Sequence, residues 1–103
     1  MSFYKNKNIL ITGASSGLGS LISQELSKEG CNLILVSRSK DKLKRTFKGC
    51  SNKKNHKIIA ADFQSRESLL KMTKLIKSNY KKLDIIMHVA GGGLGIKSHL
   101  PNQ

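Results

Sequence analysis

The sequence has few acidic residues, few aromatic residues and no long apolar run. Only 6 aspartates and glutamates oppose 19 lysines and arginines, so the formal net charge is +13. The longest apolar runs, at residues 33–36, 58–61 and 85–87, are the length of strands and argue against a membrane-spanning helix. No apolar segment of the signal-peptide kind precedes the first predicted strand, so we expect a cytoplasmic protein without a membrane partner.

Cysteine is also scarce. The two cysteines, Cys31 and Cys50, form no Cys-x-x-Cys pair, and no histidine stands near them at metal-ligand spacing. This pattern predicts two free thiols in a reducing compartment and no metal site.

The excess of positive charge lacks the other features of nucleic-acid recognition. In the densest basic stretch, residues 38–57, aromatic side chains that could stack on bases do not alternate with the cations, and no helix-turn-helix or zinc-finger pattern is present. We therefore expect no nucleic-acid partner. The charge is interpreted as a solvated basic surface, with a funnel for anions as the alternative.

Apolar periodicity predicts four strands that alternate with three helices. The strands are expected at residues 8–12, 32–37, 57–62 and 83–89, and the helices at 17–29, 40–48 and from residue 65 onward. Gly30 is expected in a left-handed conformation after the first helix, and Ser39 and Ser65 are expected to begin the other two. The predicted buried positions are Leu18, Leu21, Ile22 and Leu26 on the first helix, Leu43 and Phe47 on the second, and Leu69, Met72, Leu75, Ile76 and Tyr80 on the third.

Strands that are apolar on both faces and alternate with helices are typical of a parallel sheet covered on both sides. Right-handed crossovers then predict a partial Rossmann-type, doubly wound α/β fold with strand order 3-2-1-4. Residues 1–103 are expected to form a single domain of this kind.

A glycine-rich loop lies between the first predicted strand and the first predicted helix. Gly13 permits a tight turn, Gly17 lets a pyrophosphate approach the helix, and Gly19 permits close packing of helix on strand. The amides at the helix start, with the hydroxyls of Ser15 and Ser16, are suited to bind phosphate. The predicted phosphate-binding residues are Gly13, Ser15, Ser16, Gly17, Leu18 and Gly19.

The spacing Thr-Gly-x-x-x-Gly-x-Gly at residues 12–19 closely resembles that of the short-chain dehydrogenase/reductase family. The resemblance extends along nearly the whole chain and implies further cofactor contacts. Asp62 would accept a hydrogen bond from the adenine amino group, and Phe63 would flank the ring. Ala90 and Gly91 match the second half of the family's Asn-Asn-Ala-Gly motif. His88 and Val89 replace its two asparagines, and His88 is expected to be a hydrogen-bonded residue at a strand end.

The family's proton-transfer motif, Tyr-x-x-x-Lys, is absent from these 103 residues. Asn8 stands four positions after Tyr4, and Asp84 stands four positions after Tyr80. No catalytic residue is therefore assigned, and the chain is interpreted as the cofactor-binding portion of a truncated family member. The resemblance implies an oxidoreductase that transfers hydride to or from a small carbonyl or alcohol substrate, provided that the other half is supplied. A non-catalytic nucleotide-binding module and an inactive fragment remain the alternatives.

Residues after the second strand favour NADP(H) over NAD(H). An acidic residue there would accept a hydrogen bond from the ribose 2′-hydroxyl of NAD and would repel a 2′-phosphate. The chain instead has Ser37, Arg38 and Ser39, with Lys40 and Lys42 nearby. Arg38 can pair with a phosphate through two parallel hydrogen bonds. We also expect that the chain can self-associate through the edge of its fourth strand.

Overall fold

Alternating strands and helices build one parallel sheet in the computed structural model, which describes residues 2–89. The strands are β1 (Asn8–Thr12), β2 (Asn32–Ser37), β3 (Lys57–Ala60) and β4 (Ile85–His88). The helices are α1 (Gly17–Leu26), α2 (Lys40–Lys48) and α3 (Arg66–Asn79), and a short 3-10 turn, Lys53–Asn55, precedes β3. All pairings are parallel and the order is β3-β2-β1-β4, so the predicted topology is confirmed.

The sheet buries side chains on both of its faces. On one face, Ile9, Ile11, Leu33 and Leu35 pack with residues of α1 and α2, including the fully buried Leu43. On the other face, a second cluster packs against α3 and the segment after it; its members are Leu10, Ile34, Val36 and Ala61, with the half-buried Met72, Ile76 and Tyr80 beside them. Helices therefore cover both faces, as a doubly wound fold requires.

Each α-helix begins at a serine whose side chain accepts a hydrogen bond from the backbone. Ser16 accepts from the Gly19 amide, Ser39 from the Lys42 amide and Ser65 from the Ser68 amide. These bonds satisfy amides that have no partner inside the helix. The expected caps at Ser39 and Ser65 are confirmed, and so is the left-handed Gly30, whose φ is +79°.

Three element ends differ from the sequence-based expectation. Helix α1 ends at Leu26 rather than Glu29, because the amides of Lys28 and Glu29 bond three residues back and tighten the chain into a turn. Strand β3 ends at Ala60, since the Asp62 amide donates to the Ser68 hydroxyl and not to the neighbouring strand. Strand β4 covers only Ile85–His88 of the expected 83–89.

The prediction that three of the leucines are buried in the core is wrong. Leu18, Leu21 and Leu75 are each about half exposed to solvent. Helix α1 instead turns Gly19, Ser23 and Leu26 to the sheet, a face of mostly small residues. Periodicity identified the helix, but it did not identify which side chains face the sheet.

Both thiols are free, as expected, and the structure also buries both of them. Burial raises the pKa of Cys31 and of Cys50 above its ordinary value. The described residues contain no group of three potential metal ligands and no helix long and apolar enough to cross a membrane.

Candidate functional site

A cavity of about 890 Å³ opens at the carboxyl ends of the strands. In parallel α/β sheets this edge is where ligands bind. The walls come from the loop between β1 and α1, the junction of β2 and α2, the segment after β3, and the end of β4. The lining includes Gly13, Ser15, Ser16, Gly17, Ser20, Ser37, Arg38, Ser39, Lys42, Arg45, Thr46, Asp62, Phe63 and His88.

Two glycines of the loop lie at positions where any Cβ would collide with the backbone. Gly13 has a φ of +70°, and an added Cβ would collide with the carbonyl oxygen of Val89. An added Cβ at Gly19 would collide with the Gly13 carbonyl. The loop and the start of α1 thus lie directly against the ends of the neighbouring strands.

Gly17 differs from the other two glycines of the loop. A Cβ built there meets no other part of residues 2–89 within 4 Å, so packing among these residues does not require glycine at this position. Within residues 2–89, the amides of Gly17 and Leu18 donate to no protein acceptor. Space and free donors therefore coincide at the positive end of α1, an arrangement suited to an anion.

The serine hydroxyls of the loop are partly committed to the protein. Ser16 Oγ donates to the Gly13 carbonyl at 2.9 Å and accepts from the Gly19 amide at 3.0 Å. Ser15 Oγ lies 2.6 Å from Ser37 Oγ, which also accepts from the Ser39 amide at 3.2 Å. These bonds join the loop to the end of β2 and leave less hydroxyl capacity for a ligand than the sequence suggested.

Asp62 and Phe63, which follow β3, contribute a further part of the cavity wall. One carboxylate oxygen of Asp62, Oδ1, accepts from the Gln64 amide at 2.9 Å, which orients the group. Phe63 lines the cavity with 43% of its side chain exposed. The pair presents a hydrogen-bond acceptor beside an aromatic surface, which suits a flat nitrogen heterocycle.

His88 lies at the end of β4, paired in register with Thr12. Its Nδ1 lies 2.6 Å from the Thr12 hydroxyl. The expectation of a hydrogen-bonded strand-end histidine is confirmed, and the ring also lines the cavity.

Nine of the predicted site residues line this one cavity: Gly13, Ser15, Ser16, Gly17, Ser37, Arg38, Ser39, Asp62 and Phe63. Leu18 and Gly19 do not line it, and Ala90 and Gly91 lie outside the described residues. Sequence reasoning missed Arg45 and Thr46 as wall residues. Their spacing from Ser39 and Lys42 places all four on one side of a helix, but spacing alone does not show that this side lines the cavity.

Comparison with known proteins identifies a matching family and several similar proteins. Residues 7–102 match the family model described as short chain dehydrogenase. An uncharacterized oxidoreductase of Staphylococcus epidermidis is 30% identical over 97 residues, which are 94% of this chain and 41% of the relative. An NADPH-dependent pterin aldehyde reductase of Arabidopsis thaliana is 36% identical over 85 residues, or 82% of this chain and 35% of that protein.

Solved structures have the same fold. A hydroxysteroid dehydrogenase from Escherichia coli superposes with a TM-score of 0.75 at 22% identity, covering 86% of this chain and 38% of that one. L-sorbose reductase from Gluconobacter frateurii, complexed with NADPH and L-sorbose, gives 0.72 at 28% identity, covering 87% and 35%. The chain spans about two fifths of the length of the first relatives it matches.

Proposed function

The chain belongs to the short-chain dehydrogenase/reductase family, and from that premise we propose that it binds NADP(H) in preference to NAD(H) as the cofactor portion of an oxidoreductase. The free amides of Gly17 and Leu18 would meet the pyrophosphate. Asp62 and Phe63 would hold the adenine, and Ser37 with Arg38 would hold the 2′-phosphate of the ribose. The expected contacts of Ala90 and Gly91 belong to this proposal.

Two features of the glycine loop support the binding of a dinucleotide at this cavity. The space beside Gly17 would be filled by a Cβ, and the neighbouring amides have no acceptor within residues 2–89. Such a cradle suits a pyrophosphate at the N-terminus of a helix.

One observation carries the preference for NADP(H). The end of β2 presents Ser37 and the exposed guanidinium of Arg38 to the cavity, where an NAD-binding site would have a carboxylate. Within the part of the chain that the structure describes, Arg38 forms no ion pair. Its charge is therefore available to a phosphate. The NADPH-dependent reductase of Arabidopsis and the NADPH complex of L-sorbose reductase are consistent with this preference.

The substitution Arg38→Asp tests the proposal. It replaces the phosphate-pairing cation by a carboxylate, and the loss of a charge-assisted interaction should weaken NADPH binding by about 1.5–3 kcal/mol. NADH binding should be retained or strengthened, so that the order of affinities reverses. Lys40→Asp, an identical charge change at an exposed residue outside the cavity lining, is the matched control. An unchanged ratio of the two affinities in Arg38→Asp would contradict the proposal.

For the whole protein, we propose hydride transfer to or from a small carbonyl or alcohol substrate. Bound NADP(H) would supply or accept the hydride at nicotinamide C4. The residues of this chain bind and orient the cofactor, whereas proton transfer is assigned to a Tyr-x-x-x-Lys motif that these 103 residues do not contain. The 103-residue chain is therefore expected to bind NADPH without consuming it in the presence of ketones or aldehydes.

A further inference from the structure

Helix α2 contributes side chains from its first and second turns to the cavity wall, in addition to the serine that caps it. Lys42, Arg45 and Thr46 line the cavity together with Ser39, the residue that caps the helix. Lys42 and Arg45 are three residues apart and so lie on the same face of α2. Together with Arg38, they place three cations on one wall, and Asp62 is the only acidic residue among the members of residues 2–89 that line the cavity.

The second turn of α2 is held against the glycine loop. The hydroxyl of Thr46, a residue that is only 2% exposed, donates to the Ala14 carbonyl at 3.1 Å, and its oxygen lies 3.1 Å from Ser20 Oγ. Arg45 adjoins this anchored residue. The backbone of Arg45 is therefore held close to the glycine loop by the buried contact of its neighbour.

The charges on this wall are not neutralised by other described residues. The two ion pairs found in residues 2–89 join Lys28 to Glu25 and Lys82 to Asp84. Asp41 lies one turn before Arg45 on α2, yet it forms no ion pair with it and does not line the cavity. Arg45 and Lys42 are both exposed and face a cavity wall rich in hydrogen-bond donors.

The glycine loop has no cation of its own to offer. Its serines, Ser15 and Ser16, hydrogen-bond to Ser37, Gly13 and Gly19 as described above. A second positive charge for an anion near the end of β2 must therefore come from elsewhere. Among the described wall residues, α2 supplies it.

We propose that Arg45, assisted by Lys42, is a specificity-determining residue that binds the 2′-phosphate of NADP(H) together with Arg38. The inference rests on the proposed function, because the 2′-position of the adenosine ribose lies at the end of the second strand of this fold. Arg45 can form two parallel hydrogen bonds to phosphate, and Lys42 adds a point charge. Two arginines from different elements would then enclose the group that distinguishes NADP(H) from NAD(H).

The test compares Arg45→Gln with Lys44→Gln in the 103-residue chain. Lys44 is exposed on the same helix but does not line the cavity, so both variants lose one charge while only one loses the contact. Arg45→Gln should weaken NADPH binding roughly three- to tenfold and leave NADH binding unchanged. Adenosine 2′,5′-bisphosphate should lose affinity by the same factor, and adenosine 5′-monophosphate should not. Arg45→Lys, which keeps the charge but not the paired hydrogen bonds, should bind NADPH more tightly than Arg45→Gln and less tightly than the unmodified chain.

Several outcomes would overturn the assignment. Equal weakening by Arg45→Gln and Lys44→Gln would show that only the general positive field matters. Unchanged NADPH binding in Arg45→Gln, with a preference for NADPH intact in the unmodified chain, would remove Arg45 from the site and leave the proposed function standing. An unmodified chain that does not prefer NADPH would contradict the proposed function itself, and the 2′-phosphate role of Arg45 with it.

Discussion

The hydroxyl of Ser15 lies 2.6 Å from the hydroxyl of Ser37, which joins the glycine loop to the end of β2. The loop carries the amides proposed for the pyrophosphate, and β2 ends at the residues proposed for the 2′-phosphate. The Ala14 amide strengthens the same junction, because it donates to the Val36 carbonyl at 3.1 Å. The two regions proposed to bind phosphate are thereby held in one geometry without a ligand, which would lower the cost of ordering them on binding.

Gly17→Val is expected to abolish dinucleotide binding while the chain stays folded. The valine side chain would occupy the open space beside the helix start, where no other part of residues 2–89 lies within 4 Å of the added Cβ. Titration with NADPH and the far-UV circular dichroism spectrum measure the two effects. The control is Leu21→Val, a β-branched substitution at a residue of α1 that is 57% exposed and outside the cavity lining. A folded Gly17→Val chain with unchanged NADPH affinity would mean that the loop is only a turn.

Thr46→Val should lower the free energy of unfolding by about 1–3 kcal/mol, because it removes the donor that serves the buried Ala14 carbonyl. The change conserves shape, so lost packing contributes little. Denaturant unfolding measures the difference. Thr73→Val, at an exposed position of α3, is the matched control and should stay within about 0.5 kcal/mol of the unmodified chain. Equal stabilities for the two variants would show that the contact between α2 and the loop contributes nothing.

The stability of the fold should fall in mild acid because of His56. This ring is 5% exposed; Nδ1 accepts from the Leu33 amide at 3.1 Å, and Nε2 lies 2.8 Å from the Ser51 carbonyl. Burial lowers the pKa of His56 below the ordinary value of 6.5, although hydrogen bonds to backbone carbonyls partly oppose that shift. The neutral ring, with its proton on Nε2, satisfies both bonds.

The lowered pKa of His56 determines how the free energy of unfolding changes with pH. Below pH 6.5 the unfolded chain binds a proton that the folded chain resists, so the stabilising contribution is complete above 6.5 and is lost as the pH falls toward the folded-state pKa. The slope from this group is at most about 1.4 kcal/mol per pH unit. The free energies of unfolding of the unmodified chain and of His56→Gln, measured from pH 7.5 to 5, isolate the contribution of His56. Parallel pH profiles for the two chains would refute the role of His56.

Strand β4 should mediate self-association at high salt. In residues 2–89 it pairs only with β1, and Ile86 on it is 62% exposed. The net charge of +13 opposes association, but salt screens that repulsion beyond about 8 Å at physiological ionic strength. Sedimentation velocity over a salt series should show growing oligomers, which Ile86→Lys prevents and Leu70→Lys, at an exposed residue of α3, does not. A monomer at every salt concentration would contradict this prediction.

The fold could be predicted from the sequence because its signals are local. The strand order follows from the alternation of apolar strands with helices, and Ser39 marks the start of α2 by its own side-chain chemistry. The packing of helix on sheet could not be predicted in the same way. Leu18 and Leu21 lie at apolar helical spacing, yet Gly19 and Ser23 face the sheet because they allow a closer approach. A sequence pattern does not record that distance.

The sequence predicted residues of the candidate site only where they lie together in one continuous segment. The glycine loop and Ser37 to Ser39 are each continuous in sequence, and the structure brings them to one cavity. Arg45 enters the same wall because Thr46, its neighbour, bonds to Ala14, which is 32 residues earlier in the chain. That pairing depends on how α2 packs against α1, and no local pattern predicts it.

The most direct test of the central claim is a pair of calorimetric titrations of the unmodified chain, one with NADPH and one with NADH, in the same buffer at physiological ionic strength. The account predicts saturable binding of both nucleotides at one site, with NADPH bound at least about tenfold more tightly, since a phosphate paired with Arg38 should contribute 1.5 kcal/mol or more. Equal affinities, or tighter binding of NADH, would contradict it.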